Sequence, residues 1–238
     1  MFTKRILLAT CTFLLSFGIS AQTWINWDFT VPAGKDMAVM QGFDKFMKSE
    51  TGKNLGMAAL TSNMLGPGDW THSFTVWHDD IDKIAPFMDM NMVMTNKDFQ
   101  EVFMMFNELG IQPANSATGS HLANTTPKGG NAFQSIWFMK VKDPMATATA
   151  FGKMSGAMQG FFDKHNVQVS LGQMSSGNNN SETHYVLASF KDYKTFMQVS
   201  AEASQSEAFQ TWFMETAQDE NTRTLSRQAL SMWNIPQG

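Results

Sequence analysis

Between residues 23 and 31 apolar and polar side chains alternate, with Trp27, Phe29 and Val31 on one face and Asn26, Asp28 and Thr30 on the other. A period of two marks a strand, so Thr23 to Val31 is predicted as one. The period then changes. From Lys35 to Glu50 the residues Phe43, Phe46 and Met47 recur at helical spacing, which predicts a helix with one apolar stripe. Two more strands, Leu55 to Met64 and Thr71 to His78, flank the turn signal Gly66-Pro67-Gly68-Asp69. A second helical region starts at Asp80, the predicted cap of its first turn, breaks near Thr95 and resumes through Phe99-Gln100.

The same succession returns roughly 110 residues later. A strand-like stretch, Phe133 to Val141, precedes a helical one, Pro144 to Lys164, whose stripe is Phe151, Met154 and Met158. Strands Val167 to Met174 and Thr183 to Phe190 flank Gly177-Asn178-Asn179-Asn180, and a helical region begins at Asp192. Trp27-Asp28-Phe29-Thr30-Val31 reads against Trp137-Phe138-Met139-Lys140-Val141, and Thr71-His72 against Thr183-His184. Phe99-Gln100-Glu101-Val102-Phe103-Met104 reads against Phe209-Gln210-Thr211-Trp212-Phe213-Met214. In front of this motif, Thr95 with Asp98 and Ser204 with Glu207 read as capping boxes. Phe99, Phe103, Phe209 and Phe213 are expected to be buried. Thr224 to Trp233 forms the last strand of the second copy; its counterpart, within Ile111 to Ala123, lacks a clear pattern and is expected to be irregular.

The order βαββαβ is the split-βαβ, ferredoxin-like unit, one antiparallel sheet with both helices on one face. Its other face needs a cover, and two copies supply it for each other. The expected fold class is therefore α+β: two tandem ferredoxin-like βαββαβ units, packed sheet to sheet as a pseudo-two-fold barrel. Residues 22–123 form the first repeat, 124–131 a linker and 132–238 the second repeat. On element order and the interrupted second helix, the chain resembles the dimeric α+β barrel superfamily in a fused form. That superfamily includes antibiotic-biosynthesis monooxygenases and stress-response barrel proteins. The resemblance implies a site between sheet and helices or between the sheets. It also implies, for an enzyme, an aromatic substrate held among Trp, Asn and His without metal or flavin. A fused pair makes a monomer sufficient.

The composition agrees with a packed body: 43% of the 238 residues are hydrophobic and 16% charged, with a formal net charge of −4. Twenty Phe and twenty Met predict a large, soft core. Beyond Lys4 and Arg5 there is no basic run, which excludes an electrostatic footprint for nucleic acid or an anionic membrane. Those two residues, the apolar run Ile6 to Ile19 and the exit Ser20-Ala21 have the plan of a secretory signal peptide over residues 1–21, leaving Gln22 first. The run is shorter than the roughly 20 residues that span a bilayer, and the expected location is periplasmic or secreted. The single cysteine, Cys11, lies inside it, so the exported chain has no disulfide, thiolate metal site or Cys nucleophile.

Asn26 and Asp28 are the first candidate catalytic residues, because the second repeat places Ile136 and Phe138 at those positions. Either one half of a cavity keeps a polar site, or the two residues lie solvated at a strand end. His72 and His184, at equivalent strand starts, are proton-shuttle candidates or hydrogen-bonding histidines of the framework. Trp27, Trp77 and Trp137 are the aromatic candidates for holding a ligand. Met88, Met90, Met92 and Met94 offer soft sulfur ligands for Cu(I), or else packing side chains. Phosphate-loop, dinucleotide, zinc-protease and nucleophile-elbow motifs are missing, and no cofactor is predicted. Asn124-Thr125-Thr126 fits a glycosylation acceptor. The leading expectation is an exported, non-catalytic protein that binds a small apolar or aromatic ligand or a protein partner. The alternatives are a cofactor-independent monooxygenase or haem-handling enzyme, and a periplasmic copper binder through the Met cluster.

Overall fold

Eight antiparallel strands close on themselves in the order β1-β3-β2-β8-β5-β7-β6-β4. The structure is a computed structural model that describes residues 22–66, 68–125, 130–177 and 181–235. The predicted signal segment with Cys11, and parts of the linker and of both predicted turns, lie outside the described residues. The first half runs β1 (Thr23–Thr30), α1 (Asp36–Lys48), α2 (Glu50–Lys53), β2 (Met57–Leu65) and β3 (His72–His78). It continues through α3 (Ile81–Ile84), a 3-10 turn (Ala85–Met88), α4 (Met90–Thr95), α5 (Lys97–Leu109) and β4 (Gln112–Asn124). The second half runs β5 (Phe133–Lys140), α6 (Pro144–Ala157), α7 (Gln159–His165), β6 (Gln168–Ser176) and β7 (His184–Phe190). It ends with α8 (Tyr193–Ala203), α9 (Glu207–Glu215) and β8 (Glu220–Trp233).

Each half has the ferredoxin-like strand order, β4-β1-β3-β2 and β8-β5-β7-β6. The halves face each other and also join at both edges, where β2 pairs with β8 and β4 with β6. The strand registers carry the repeat in detail. Trp27 stands opposite Phe74 and Ser116, and Trp137 opposite Val186 and Thr224. Both first strands also meet a bulge at one place: β4 skips Ala114 between Asp28/Asn115 and Phe29/Pro113, while β8 skips Thr222 between Phe138/Arg223 and Met139/Asn221.

Strand β4, expected to be irregular, is 13 residues long. Its small polar side chains give no hydrophobic alternation, but it has ladder partners on both sides, β1 and β6, and those bonds fix it. Pro113, which has no N–H to give, sits beside the bulge.

Alternation along the strands divides the apolar residues into three cores. One face of the first sheet packs on α1 and α5 through Val39, Phe43, Phe46 and Leu60; one face of the second packs on α6 and α9 through Phe151, Met154, Leu171 and Trp212. The third core fills much of the lumen, with Trp24, Trp77, Ile136, Phe138 and Tyr185. Trp24 and Tyr185 reach across because Gly119 and Gly172 lie under them. A Cβ on Gly119 would stand 2.4 Å from the Trp24 ring, and one on Gly172 2.1 Å from Tyr185.

Asp80 and Asp192 cap the next helices as expected, through Asp82 N and Thr195 N. The capping boxes do not form. Asn96 accepts from Asp98 N and Phe99 N, and Ser206 accepts from Phe209 N. Thr95 and Ser204 instead donate back to Asn91 O and Ala201 O, and Asp98 accepts from Thr51 N. Burial of the Phe-Gln motif also differs from expectation. Phe99 and Phe209 are half-buried, but Phe103 and Phe213 are 42% and 56% exposed, because the adjacent Val102 and Trp212 take the sheet-facing positions of α5 and α9.

These positions separate in a denaturation experiment. Phe151→Ala removes a ring that is 1% exposed and should cost about 3–5 kcal/mol, whereas Phe213→Ala should cost less than about 1 kcal/mol. Urea midpoints of the two variants read the difference.

Candidate functional site

The alternation of β1 sends its side chains to two cavities. Trp24, Asn26 and Asp28 line the lumen, a cavity of about 230 Å³, while Trp27 and Phe29 line a cavity of about 930 Å³ between the first sheet and α1, α4 and α5. Asp28 and Asn115, paired at the Ala114 bulge, belong to both walls.

The lumen holds a polar network. Asp28 is buried, and its Oδ1 accepts from Ser73 Oγ at 2.6 Å and Asn26 Nδ2 at 2.7 Å. Asn26 Oδ1 accepts from Thr75 Oγ1 at 2.7 Å, and Thr75 Oγ1 accepts from Arg227 Nη1 at 3.5 Å. Arg227 Nε donates to Gln134 Oε1 at 2.6 Å. Burial brings the guanidinium pKa down to about 10, against the opposing pull of Asp28 and Tyr185. On the far wall, Trp24 Nε1 donates to Tyr185 Oη at 2.6 Å, and that oxygen lies 3.2 Å from His121 Nδ1. Burial raises the Tyr185 pKa and lowers that of His121 to about 4, so both are neutral near pH 7. Glu182, 1% exposed, accepts two hydrogen bonds from Arg223, whose guanidinium lies 4.0 Å from the Phe138 ring centroid.

The larger cavity is mostly apolar. Trp27 stacks on Phe74 with ring centroids 6.1 Å apart, and Phe87, Met90 and Phe99 close the helix side. Its polar wall is small, with Asp28 as the charged member beside Asn107, Asn115 and Ser116. In the second repeat Trp212, buried in the core, stands where Val102 lines this cavity.

The sequence candidates are thus distributed. Asn26 and Asp28 meet in the lumen and are bonded to each other; they are not solvated at a strand end. Trp77 shares that wall, Trp27 lines the other cavity, and Trp137 packs against the second helix-sheet core. His72 and His184 have the opposite parity from lumen residues Ser73 and Tyr185 and face the helices. Each holds its neighbouring threonine, Thr71 at 2.8 Å and Thr183 at 2.9 Å, through Nδ1. His72 Nε2 lies 3.2 Å from Asp36 Oδ1 without a hydrogen bond's alignment, and His184 Nε2 has no hydrogen-bond partner. Burial lowers both pKa values, opposed by Asp36 and Asp219 respectively. Of the methionine cluster, Met90 and Met94 line the larger cavity one helical turn apart, and Met88 ends the preceding 3-10 turn. Among the described residues no group of three or more His, Cys, Asp and Glu is placed to hold a metal.

Tyr185, His121, Gln134, Glu182 and the two arginines were not singled out from sequence. For the arginines a signal exists: Arg223, Leu225 and Arg227 share one parity in the last strand, which puts two cations on a face with a buried leucine.

The depressed histidines make stability depend on pH. Between about 6.5 and 4 the unfolded chain takes up a proton at His121 that the folded chain refuses, so stability is full above this window and falls as pH drops through it. His72 and His184 act in the same direction. Urea midpoints between pH 7.5 and 4.5 should fall for the native sequence and fall less steeply for His121→Gln.

No family model matches the chain, and no curated protein matches it. Solved structures do. A candidate monooxygenase from Lactobacillus acidophilus matches with a TM-score of 0.60 at 8% identity, over 89% of this chain and 95% of that one. An anthrone oxidase-like protein matches with a TM-score of 0.60 at 8% identity, over 94% and 98%. A haem-binding protein from Thermus thermophilus matches with a TM-score of 0.52 at 9% identity, over 89% and 92%. Neither cavity here fits a haem. The larger one offers iron only the thioethers of Met90 and Met94, with no His, Cys or Tyr to ligate it and no Lys or Arg to hold propionates, and the lumen is too small for a porphyrin. What the likeness establishes is architecture: the chain has the fold of the dimeric α+β barrel superfamily, with both ferredoxin-like halves in one polypeptide.

Proposed function

We propose that the protein binds a small, flat, apolar molecule of aromatic type in the cavity between the first sheet and its helices. One observation carries the reading: a cavity of about 930 Å³, walled by aromatic and Met side chains, lies in the repeat that has Val102 where the other repeat has a buried Trp212. Met90, Met94 and Phe103, all more than 40% exposed, give that wall an apolar rim open to solvent. Val102→Trp copies the second repeat and fills the space. Titration with anthrone, read by quenching of Trp fluorescence, should be saturable for the native protein and at least about tenfold weaker for Val102→Trp, with the thermal midpoint maintained. Equal binding by both proteins would refute the site.

A second reading is oxygenation of the bound aromatic without a cofactor, favoured by the apolar, aromatic wall of this cavity and by the likeness to the anthrone oxidase-like protein. This reading predicts anthrone-dependent oxygen uptake by the native protein that Val102→Trp, which fills the cavity, abolishes. Binding without uptake leaves the first reading in place.

The chain is also proposed to be exported, on the strength of Lys4-Arg5, the apolar run and Ser20-Ala21. Among the described residues no helix is long and apolar enough to cross a membrane. N-terminal sequencing of the envelope or secreted fraction should find Gln22 first; retention of Met1 would overturn export with cleavage.

A further inference from the structure

We infer that the barrel lumen is a second binding site, separate from the helix-sheet cavity, for a small organic anion of the single-ring carboxylate class, with Arg227 as the cation that meets its charge.

The buried charge of Arg227 has no anion in contact with it. Arg227 is 6% exposed, yet its two hydrogen bonds go to neutral acceptors, Gln134 Oε1 and the hydroxyl of Thr75. No carboxylate lies within ion-pair distance of it among the described residues. A guanidinium carries five N–H donors, and taking it out of water is costly unless an anion and full hydrogen bonding replace the solvent. No hydrogen bond falls on Nη2, and Arg227 forms part of the cavity wall. The other charged groups facing the lumen do not contact Arg227. Glu182 is bound by Arg223 and Thr222, and Asp28 Oδ1 is held by Asn26 and Ser73, so Asp28 acts on Arg227 across space without touching it.

The rest of the wall fits the same chemistry. The Tyr185 oxygen accepts from Trp24, which turns the phenol proton toward His121 Nδ1 and leaves the proton of a neutral His121 on Nε2, a further donor in the lumen wall. Trp70 adds a buried indole N–H with no partner. Between these donors the sides are flat and apolar, formed by Trp24, Trp77, Ile136 and Leu187. An apolar cavity of about 150 Å³ already accommodates benzene. About 230 Å³ therefore holds one ring with a carboxylate, and excludes a three-ring probe such as anthrone.

Benzoate and its neutral isostere benzamide test the assignment in the purified protein, with quenching of the lumen tryptophans and the thermal midpoint as readouts. Benzoate should bind saturably and raise the midpoint, and benzamide should bind about 10- to 100-fold more weakly, the span expected for hydrogen bonds to a charged group. Arg227→Gln should abolish the preference for benzoate. Val102→Trp, which fills the other cavity, should leave benzoate binding unchanged, so failure of this site is distinguishable from failure of that one. If Arg227→Gln does not fold, the benzoate–benzamide comparison in the native protein decides alone. Equal affinities, no saturable benzoate binding, unchanged benzoate affinity in a folded Arg227→Gln, or loss of benzoate binding in Val102→Trp would each overturn the inference.

Discussion

Pairing of sheet edges is the constraint on which this molecule depends. A single ferredoxin-like unit leaves two edge strands with unpaired backbone groups and one sheet face without a cover. Here β2 with β8 and β4 with β6 remove both pairs of edges at once. Closure gives every strand two neighbours and turns one face of each sheet into the wall of a lumen. The other faces, with the helices on them, are then directed outward. Both cavities are consequences of this arrangement, one on each side of a single continuous wall, and Asp28 and Asn115 lie where a bulge lets residues contribute to both.

Within this symmetric frame the halves have become chemically different. Asn26 and Asp28 correspond to Ile136 and Phe138, Ser73 to Tyr185, and Val102 to Trp212. The second repeat is large and apolar at these places, so its helix-sheet layer is filled and its strands contribute the hydrophobic side of the lumen. The first repeat is small or polar there, which leaves space outside the barrel and a hydrogen-bonded chain inside it. Neither change disturbs the backbone, because ladder bonds, and not these side chains, set the strand registers.

Much of this could be read in the chain because it rests on periodicity. The alternation of β1 placed Asn26 and Asp28 on a common face, and the repeated Trp and Phe-Gln motifs located equivalent elements. Where residues compete locally, the sequence pattern does not single out the residue that wins. Asn96 and Ser206 displaced Thr95 and Ser204 as caps by one or two positions, because neighbouring polar side chains offer the same helix end nearly equivalent bonds. β4 was hidden because Ala, Asn, Ser, Thr and Gly carry no hydrophobic rhythm, while its stability comes from partners far away in sequence. The histidines occupy equivalent strand starts, and strand parity turns both of them to the helices. Arg227, Tyr185 and His121 come from three different strands, and their meeting depends on barrel closure that no local pattern records.

One pair of equivalent positions shows what fusion makes possible. Trp24 faces Gly119 in the first half, and Gln134 faces Arg227 in the second. In a barrel assembled from two identical chains, any residue placed in the lumen would appear twice across the axis, so an arginine there would confront its own copy in a space of low dielectric constant. Joining the copies into one polypeptide frees the two positions to diverge. A guanidinium at the position where the other half has a glycine, with an indole filling the room its copy would need, is an asymmetry that two identical chains cannot have.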